Sequence, residues 1–225
     1  MNQKNMTSSI TASFQIDFGE ANVKLANVGK RYNREWIFRH VDFTFDSAKK
    51  YAITGPNGSG KSTLLQIIAG ASMYNEGIIE YTIDQNKIQP EQHYNYISLA
   101  APYLELIEEM TAKEMLHFHA SFKPLLQSYS IEEILKIVGL ETAVHKQLRY
   151  FSSGMKQRLK LAQAFFSSKP LLLLDEPTTN LDADGITLYQ SLISNYTKNK
   201  LVIISSNVKQ EYAFCDAVID IQAYK

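Results

Sequence analysis

The residues best able to do chemistry in this chain are Gly55, Pro56, Asn57, Gly58, Ser59, Gly60, Lys61, Ser62 and Thr63, which contain the spacing G-x-x-x-x-G-K-S. Glycines at this spacing let successive backbone N–H groups turn inward toward one anion. A helix that starts at the last glycine points its positive end at the same place. Lys61 then supplies a mobile charge for the outer phosphates of a nucleotide, and Ser62 supplies a hydroxyl for Mg²⁺. A second element reads Leu171-Leu172-Leu173-Leu174-Asp175-Glu176-Pro177. A buried strand that ends in carboxylates delivers them to the crevice where ligands of open α/β sheets bind. Asp175 is placed to hold the metal, partly through water, and Glu176 to polarise an attacking water. Alone, either segment reads as a turn; as a pair they read as a site for nucleoside triphosphate chemistry.

Such a pair needs a strand before the cradle, a helix after it and a parallel neighbour carrying the acids. The pattern supplies them. Residues 51–54 form a short apolar run before the cradle, and a helix is expected from about 61 to 69, with Gly70 to stop it. The runs at 171–174 and 201–205 are continuously apolar, as in strands buried on both faces. Residues 23–28, 41–45 and Ile79, Tyr81 and Ile83 alternate instead, with the period of half-buried strands. Between 111 and 139 the pattern is helical. Thr111 with Glu114, and Ser130 with Glu133, have capping-box spacing, and Gly139 follows the apolar repeat Ile131, Ile134, Leu135, Val138. The expected fold is α/β: a mostly parallel sheet core, an antiparallel β subdomain and an inserted α-helical lobe at about 103–165. Residues 1–20 read as an N-terminal extension with a strand near 14–18, and 21–225 as one domain. The length of 225 residues and the 45% hydrophobic fraction agree with that organisation. With 23 basic and 23 acidic residues the chain is neutral, which removes the simplest argument for nucleic-acid binding. One cysteine, Cys215, excludes an intramolecular disulfide. No apolar run reaches the roughly 20 residues that cross a bilayer, and residues 1–13 lack the apolar core of a signal peptide.

On these residues the chain resembles the ATP-binding-cassette (ABC) ATPases, a family of P-loop NTPases. The distinguishing marks are Phe151-Ser152-Ser153-Gly154-Met155-Lys156-Gln157-Arg158, similar to the L-S-G-G-Q signature and its helix, and Thr178-Thr179-Asn180-Leu181-Asp182, similar to the D-loop. Tyr32 stands where the family has an aromatic that stacks on adenine, although Trp36 is a rival. The resemblance implies ATP and Mg²⁺ as cofactors, with catalytic roles for Glu176, Lys61 and Asn207, and with Ser62 and Asp175 on the metal. It implies a two-lobed cassette that dimerises head to tail with a second ABC ATPase subunit, identical or different. Each ATP then lies between one cradle and the other copy's Ser152, Ser153, Gly154 and Asp182. The helix that carries this signature is expected to start near Lys156. The implied role is the ATPase subunit of an exporter-type (ABC-2-like) transporter, bound through a separate transmembrane permease to the cytoplasmic face of the membrane, with no direct insertion and no nucleic acid. A soluble ABC ATPase acting on nucleic acid or ribosomes, or a low-turnover nucleotide-binding regulatory subunit, are the alternatives.

Three departures stand out. The signature reads F-S-S-G-M, with Ser153 for the first glycine and Met155 for the glutamine. After the strand expected at 96–99 the chain continues Ala100-Ala101-Pro102-Tyr103, with no glutamine. After residues 201–206 the family's switch histidine is replaced by Asn207. A neutral amide donates to a phosphate, but without the strength of a charge-assisted bond, so slower hydrolysis is expected. Other residues point to ordinary roles. His117 and His119 fall on different faces of a helix. Cys215 reads as a small buried hydrophobe, and Lys49, Lys50, Lys198 and Lys200 as solvated turn charges.

Overall fold

A computed structural model describes residues 18–225. The expected N-terminal extension therefore lies almost wholly outside the described residues, as does most of the strand expected at 14–18. Residues 18–20 lead without regular structure into β1 (Ala21–Tyr32). β1 pairs antiparallel with β2 (Glu35–Phe45), and Val23, Leu25, Val28, Val41 and Phe45 are all buried. The period of two does not run unbroken through 23–28. A bulge at Asn27, whose φ is 52°, resets the phase so that Val28 points inward as Val23 and Leu25 do.

β3 (Lys50–Thr54) runs into the cradle and α1 (Lys61–Ile68). The chain then returns through β4 (Glu76–Ile83) and β5 (Asn86–Ile88) to complete an antiparallel sheet of order β2-β1-β4-β5. β6 (Ile97–Ala100) begins the crossing into the helical lobe, which holds α2 (Ala112–Phe122) and α3 (Ile131–Ile137). Both capping boxes form. The Thr111 N–H donates to Glu114 Oε2 at 2.8 Å while Glu114 N–H donates to Thr111 Oγ1 at 3.3 Å, and Ser130 and Glu133 repeat the exchange. α4 (Ser153–Phe165) brings the chain back to β7 (Leu171–Asp175), followed by α5 (Ala183–Tyr196), β8 (Leu201–Ser205), the short α6 (Lys209–Tyr212) and β9 (Ala217–Asp220).

The second sheet is parallel, of order β6-β7-β8-β3-β9. Its central strands explain their own sequence. Leu171, Leu173, Leu201 and Ile203 enter a core shared with α1 and the antiparallel sheet, whereas Leu172, Leu174, Val202 and Ile204 enter a core shared with the lobe and α4–α5. Strands buried on both faces have no solvent side on which a polar residue would be favoured. The C-terminal ends of β3, β7 and β8 come together at one edge of this sheet.

One reading of the sequence is corrected here. Lys198 is exposed, but Lys200 is not a solvated turn charge: it is fully buried at the start of the β8 region. Its Nζ donates to the carbonyls of Phe165 at 3.0 Å and Ser167 at 2.6 Å and lies 4.7 Å from the centre of the Phe18 ring. Burial pushes its pKa down to about 7. The local sequence carries no sign of this, because the neighbours that enclose it come from α4, the segment after it, and residue 18. His117 is exposed while His119 turns inward, and burial pushes the latter's pKa down to about 4. Cys215 is partly buried, its thiol pushed up to about 12 by burial, as suits a packing residue.

Candidate nucleotide-binding site

The cradle is built by the abrupt change from β3 to α1. Gly60 is the N-cap of α1 with φ 105°, and a Cβ there would meet Ile37 Cγ2 at 2.5 Å, so only glycine fits both the backbone and the space. Ser59 N–H donates to Pro56 O at 3.1 Å, closing the loop on itself. Lys61 is only 4% exposed; its Nζ donates to Pro56 O at 3.0 Å and makes no ion pair with any described residue. Ser59 Oγ is buried without a hydrogen-bond partner. A buried cation and an unanswered hydroxyl in a loop of this shape fit a polyanion. The cleft beside them, about 310 Å³, is lined by Tyr32, Ile37, Asn57, Gly58, Gly60, Lys61, Ser62, Thr63 and Glu176. Tyr32 thus faces the cleft. Trp36 is not part of its lining; its ring lies between the guanidinium groups of Arg31 and Arg39, at 5.5 and 4.4 Å.

The acidic strand end meets the cradle through one bond: Ser62 Oγ donates to Asp175 Oδ1 at 3.0 Å. Asp175 is buried, and burial raises its pKa, with the Ser205 and Ser62 hydroxyls pulling it back and the Glu176 charge adding to the rise. Hydroxyl and carboxylate oxygens suit a hard divalent cation. Among the described residues no group of three or more His, Cys, Asp or Glu is placed to hold a metal. A cation here would have to draw its remaining ligands from phosphate and water, which fits the habit of Mg²⁺ rather than that of a cation held in an all-protein cage. Glu176 follows with φ 42°, its N–H donating to Ser205 O at 2.9 Å, and it lines the cleft.

The departures find physical form in the same place. Asn207 Nδ2 donates to Asn57 Oδ1 at 2.9 Å, so the switch position touches the cradle loop directly. In the segment without the family's glutamine, Tyr103 lies close to Gln66 of α1 and within the electrostatic reach of Asp175; burial raises its pKa. Sequence reasoning missed both residues. The signal was Gln66 itself, four residues after Ser62 and so on the same side of α1.

The comparisons with known proteins agree with this geometry. The family model described as ABC transporter matches residues 38–179. The uncharacterized ABC transporter ATP-binding protein YybJ of Bacillus subtilis (strain 168) is 28% identical over 201 residues, 88% of this chain and 91% of that one. The cytochrome c biogenesis ATP-binding export protein CcmA of Xylella fastidiosa (strain 9a5c) is 36% identical over 160 residues, 70% of each chain. The solved dimeric structure of the ATP-binding cassette MJ0796 in a post-hydrolysis state, bound to ADP and Pi, superposes with a TM-score of 0.75 at 27% identity, covering 88% of this chain and 94% of that one. The chain belongs to the ABC transporter family. It is an ATP-binding-cassette ATPase subunit, with the parallel and antiparallel sheets and helical lobe of that fold. Of two further curated relatives it spans 65% and 66% of the length.

In this ABC subunit the signature segment stands apart from the cleft: none of Ser152, Ser153, Gly154 and Asp182 lines it. The helix begins earlier than the expected Lys156. α4 starts at Ser153 because Ser152 is its N-cap, accepting the Met155 N–H at 3.2 Å. That bond uses a lone pair of the hydroxyl and leaves its proton to donate outward. Gly154 sits in the first turn, where a Cβ would lie 3.0 Å from Asn180 O, and Met155 packs against the helical core. Asp182 caps α5, accepting Gly185 N–H at 2.8 Å, and receives Arg158 at 3.2 Å. Ser152 and Ser153 are exposed at the N-terminal end of α4.

Proposed function

We propose that this ABC ATPase subunit closes head to tail on a second cassette, identical or different, hydrolyses ATP in the two composite sites, and so drives a separate transmembrane permease. The reading rests on the Ser62–Asp175 bond, which joins the phosphate cradle to the acidic end of β7 and sets Lys61 and Glu176 in one cleft. Tyr32 stacks on the adenine. Gly55 to Thr63 wrap the phosphates, with Lys61 neutralising the outer ones. Ser62 and Asp175 would hold Mg²⁺, which when bound would neutralise charge on the phosphate oxygens. Glu176 accepts a hydrogen bond from the attacking water and draws off its proton as the water oxygen bonds to the γ-phosphorus. The bond from that phosphorus to the bridging oxygen breaks, giving ADP and phosphate. Asn207 donates to the γ-phosphate from the Asn57 side. The second copy closes the site with its Ser152, Ser153 and Gly154, and Asp182 couples the two sites.

No helix among the described residues is long and apolar enough to cross a membrane; the permease and the place at the cytoplasmic face of the membrane are what membership of the ABC transporter family supports. The helical lobe, which exposes Phe118 and Phe122, is the proposed path of force to it.

The test is Glu176→Gln. The variant is expected to bind ATP like wild type, to accumulate as an ATP-bound dimer on size-exclusion chromatography with light scattering, and to turn over about 10²- to 10⁴-fold more slowly. Unchanged turnover rejects the role given to Glu176.

A further inference from the structure

The turn that follows Glu176 is gripped from both sides. From α4, Gln157 Nε2 donates to Pro177 O at 2.8 Å in a fully buried contact. From α6, Glu211 Oε1 accepts both the Thr178 N–H, at 2.8 Å, and the Thr178 hydroxyl. Glu211 is only 2% exposed. Its other oxygen, Oε2, is buried with no hydrogen-bond partner, and it forms no ion pair with any described residue. Its own carbonyl accepts the hydroxyl of the buried Tyr189 at 2.7 Å. An acid so placed is costly to bury, and packing alone would be better served by an apolar side chain. The bonds of its carboxylate go to one residue, Thr178, two positions after Glu176.

Glu176 itself has φ 42°, a backbone conformation that a residue with a side chain adopts only when its surroundings hold it there. The turn is continued by Thr179 N–H to Glu176 O at 3.1 Å and Leu181 N–H to Thr178 O at 2.9 Å. Release of Thr178 therefore frees the end of the turn that keeps Glu176 in the lining of the cleft. Glu211 lies in α6, four residues beyond Asn207, whose side chain touches the cradle loop from the segment just before that helix.

We infer that Glu211, acting through Thr178, is a positioning residue that holds the Glu176 turn in its hydrolytic geometry; the inference rests on the role proposed for Glu176. Because only one of its oxygens accepts hydrogen bonds, an amide in its place keeps both.

The experiment uses the full chain and compares Glu211→Ala, Glu211→Gln, Thr178→Val, Glu176→Gln and the double variant Glu176→Gln/Glu211→Ala. It measures turnover at saturating MgATP, ATP affinity by equilibrium titration, and thermal unfolding. Glu211→Ala and Thr178→Val are expected to lower kcat about 10- to 100-fold, the scale of a small displacement of a catalytic group, with ATP affinity unchanged. Glu211→Gln is expected to restore kcat to within about 3-fold of wild type. The double variant should be no slower than Glu176→Gln alone, since Glu211 acts through that residue. The inference is overturned if kcat stays near wild type in both Glu211→Ala and Thr178→Val, if kcat and affinity fall together, or if the losses multiply in the double variant. Should Glu211→Ala fail to fold, Thr178→Val, at a partly exposed site, decides the matter. An unaltered Glu176→Gln rate instead condemns the proposed role of Glu176, whatever Glu211 does.

Discussion

Asn207 shows how far a single side chain carries function in this molecule. It reaches the cradle through Asn57, and in the function proposed above it meets the γ-phosphate with a neutral amide in place of an imidazole. A charged donor forms a stronger bond to phosphate than a neutral one. Asn207→His is therefore expected to raise ATP turnover by about 3- to 10-fold, with the larger gain below pH 6.5 where the imidazole is protonated. A pH–rate profile of the two proteins checks this; a histidine variant slower than wild type across the range contradicts it. The identities of Lys61, Ser62, Asp175 and Glu176 were legible in the sequence, because a phosphate cradle constrains residue type and spacing together. The closeness of Tyr103 to Gln66 was not, because the two lie on β6's exit loop and on α1, far apart in the chain.

The elements follow rules that are mostly local. α2 and α3 start where their capping boxes say, and their first turns depend on those bonds. Thr111→Ala removes the acceptor of Glu114 N–H and the donor to its carboxylate. It is expected to cost about 1 kcal/mol of stability and to speed amide exchange in the first turn of α2. Chemical denaturation and hydrogen exchange measure both; equal stability would mean that the lobe's packing alone sets the helix start. Where local signals failed, a non-periodic feature had intervened. The bulge at Asn27 shifted the phase of β1, and Ser152 capped α4 before a run with no acidic residue at the third position to announce it.

At the scale of the whole molecule, the base of the parallel sheet carries an ionisable group held out of water. Lys200 has its pKa lowered from 10.5 to about 7 by burial. A lysine whose folded value is depressed binds its proton more weakly in the folded than in the unfolded chain. Its contribution to stability is therefore full above about pH 10.5 and lost as pH falls toward 7. The unfolding free energy of wild type relative to Lys200→Met is expected to rise by about 1–3 kcal/mol between pH 7 and 10. Urea titrations of both proteins at several pH values test this, and parallel curves would refute it.

The sequence by itself determined the cradle, the acid pair, the strand and helix types and the family they spell. Each of these depends on residues that are neighbours in the chain, where residue type and spacing act directly on the backbone. Only the tertiary structure decided which oxygen of Asp175 meets Ser62, what faces Asn207, why Lys200 lost its water and how Glu211 came to grip Thr178. Those contacts join segments that share no local pattern. They are set by the way the two sheets and the lobe close on one another, and no periodicity in the chain encodes them.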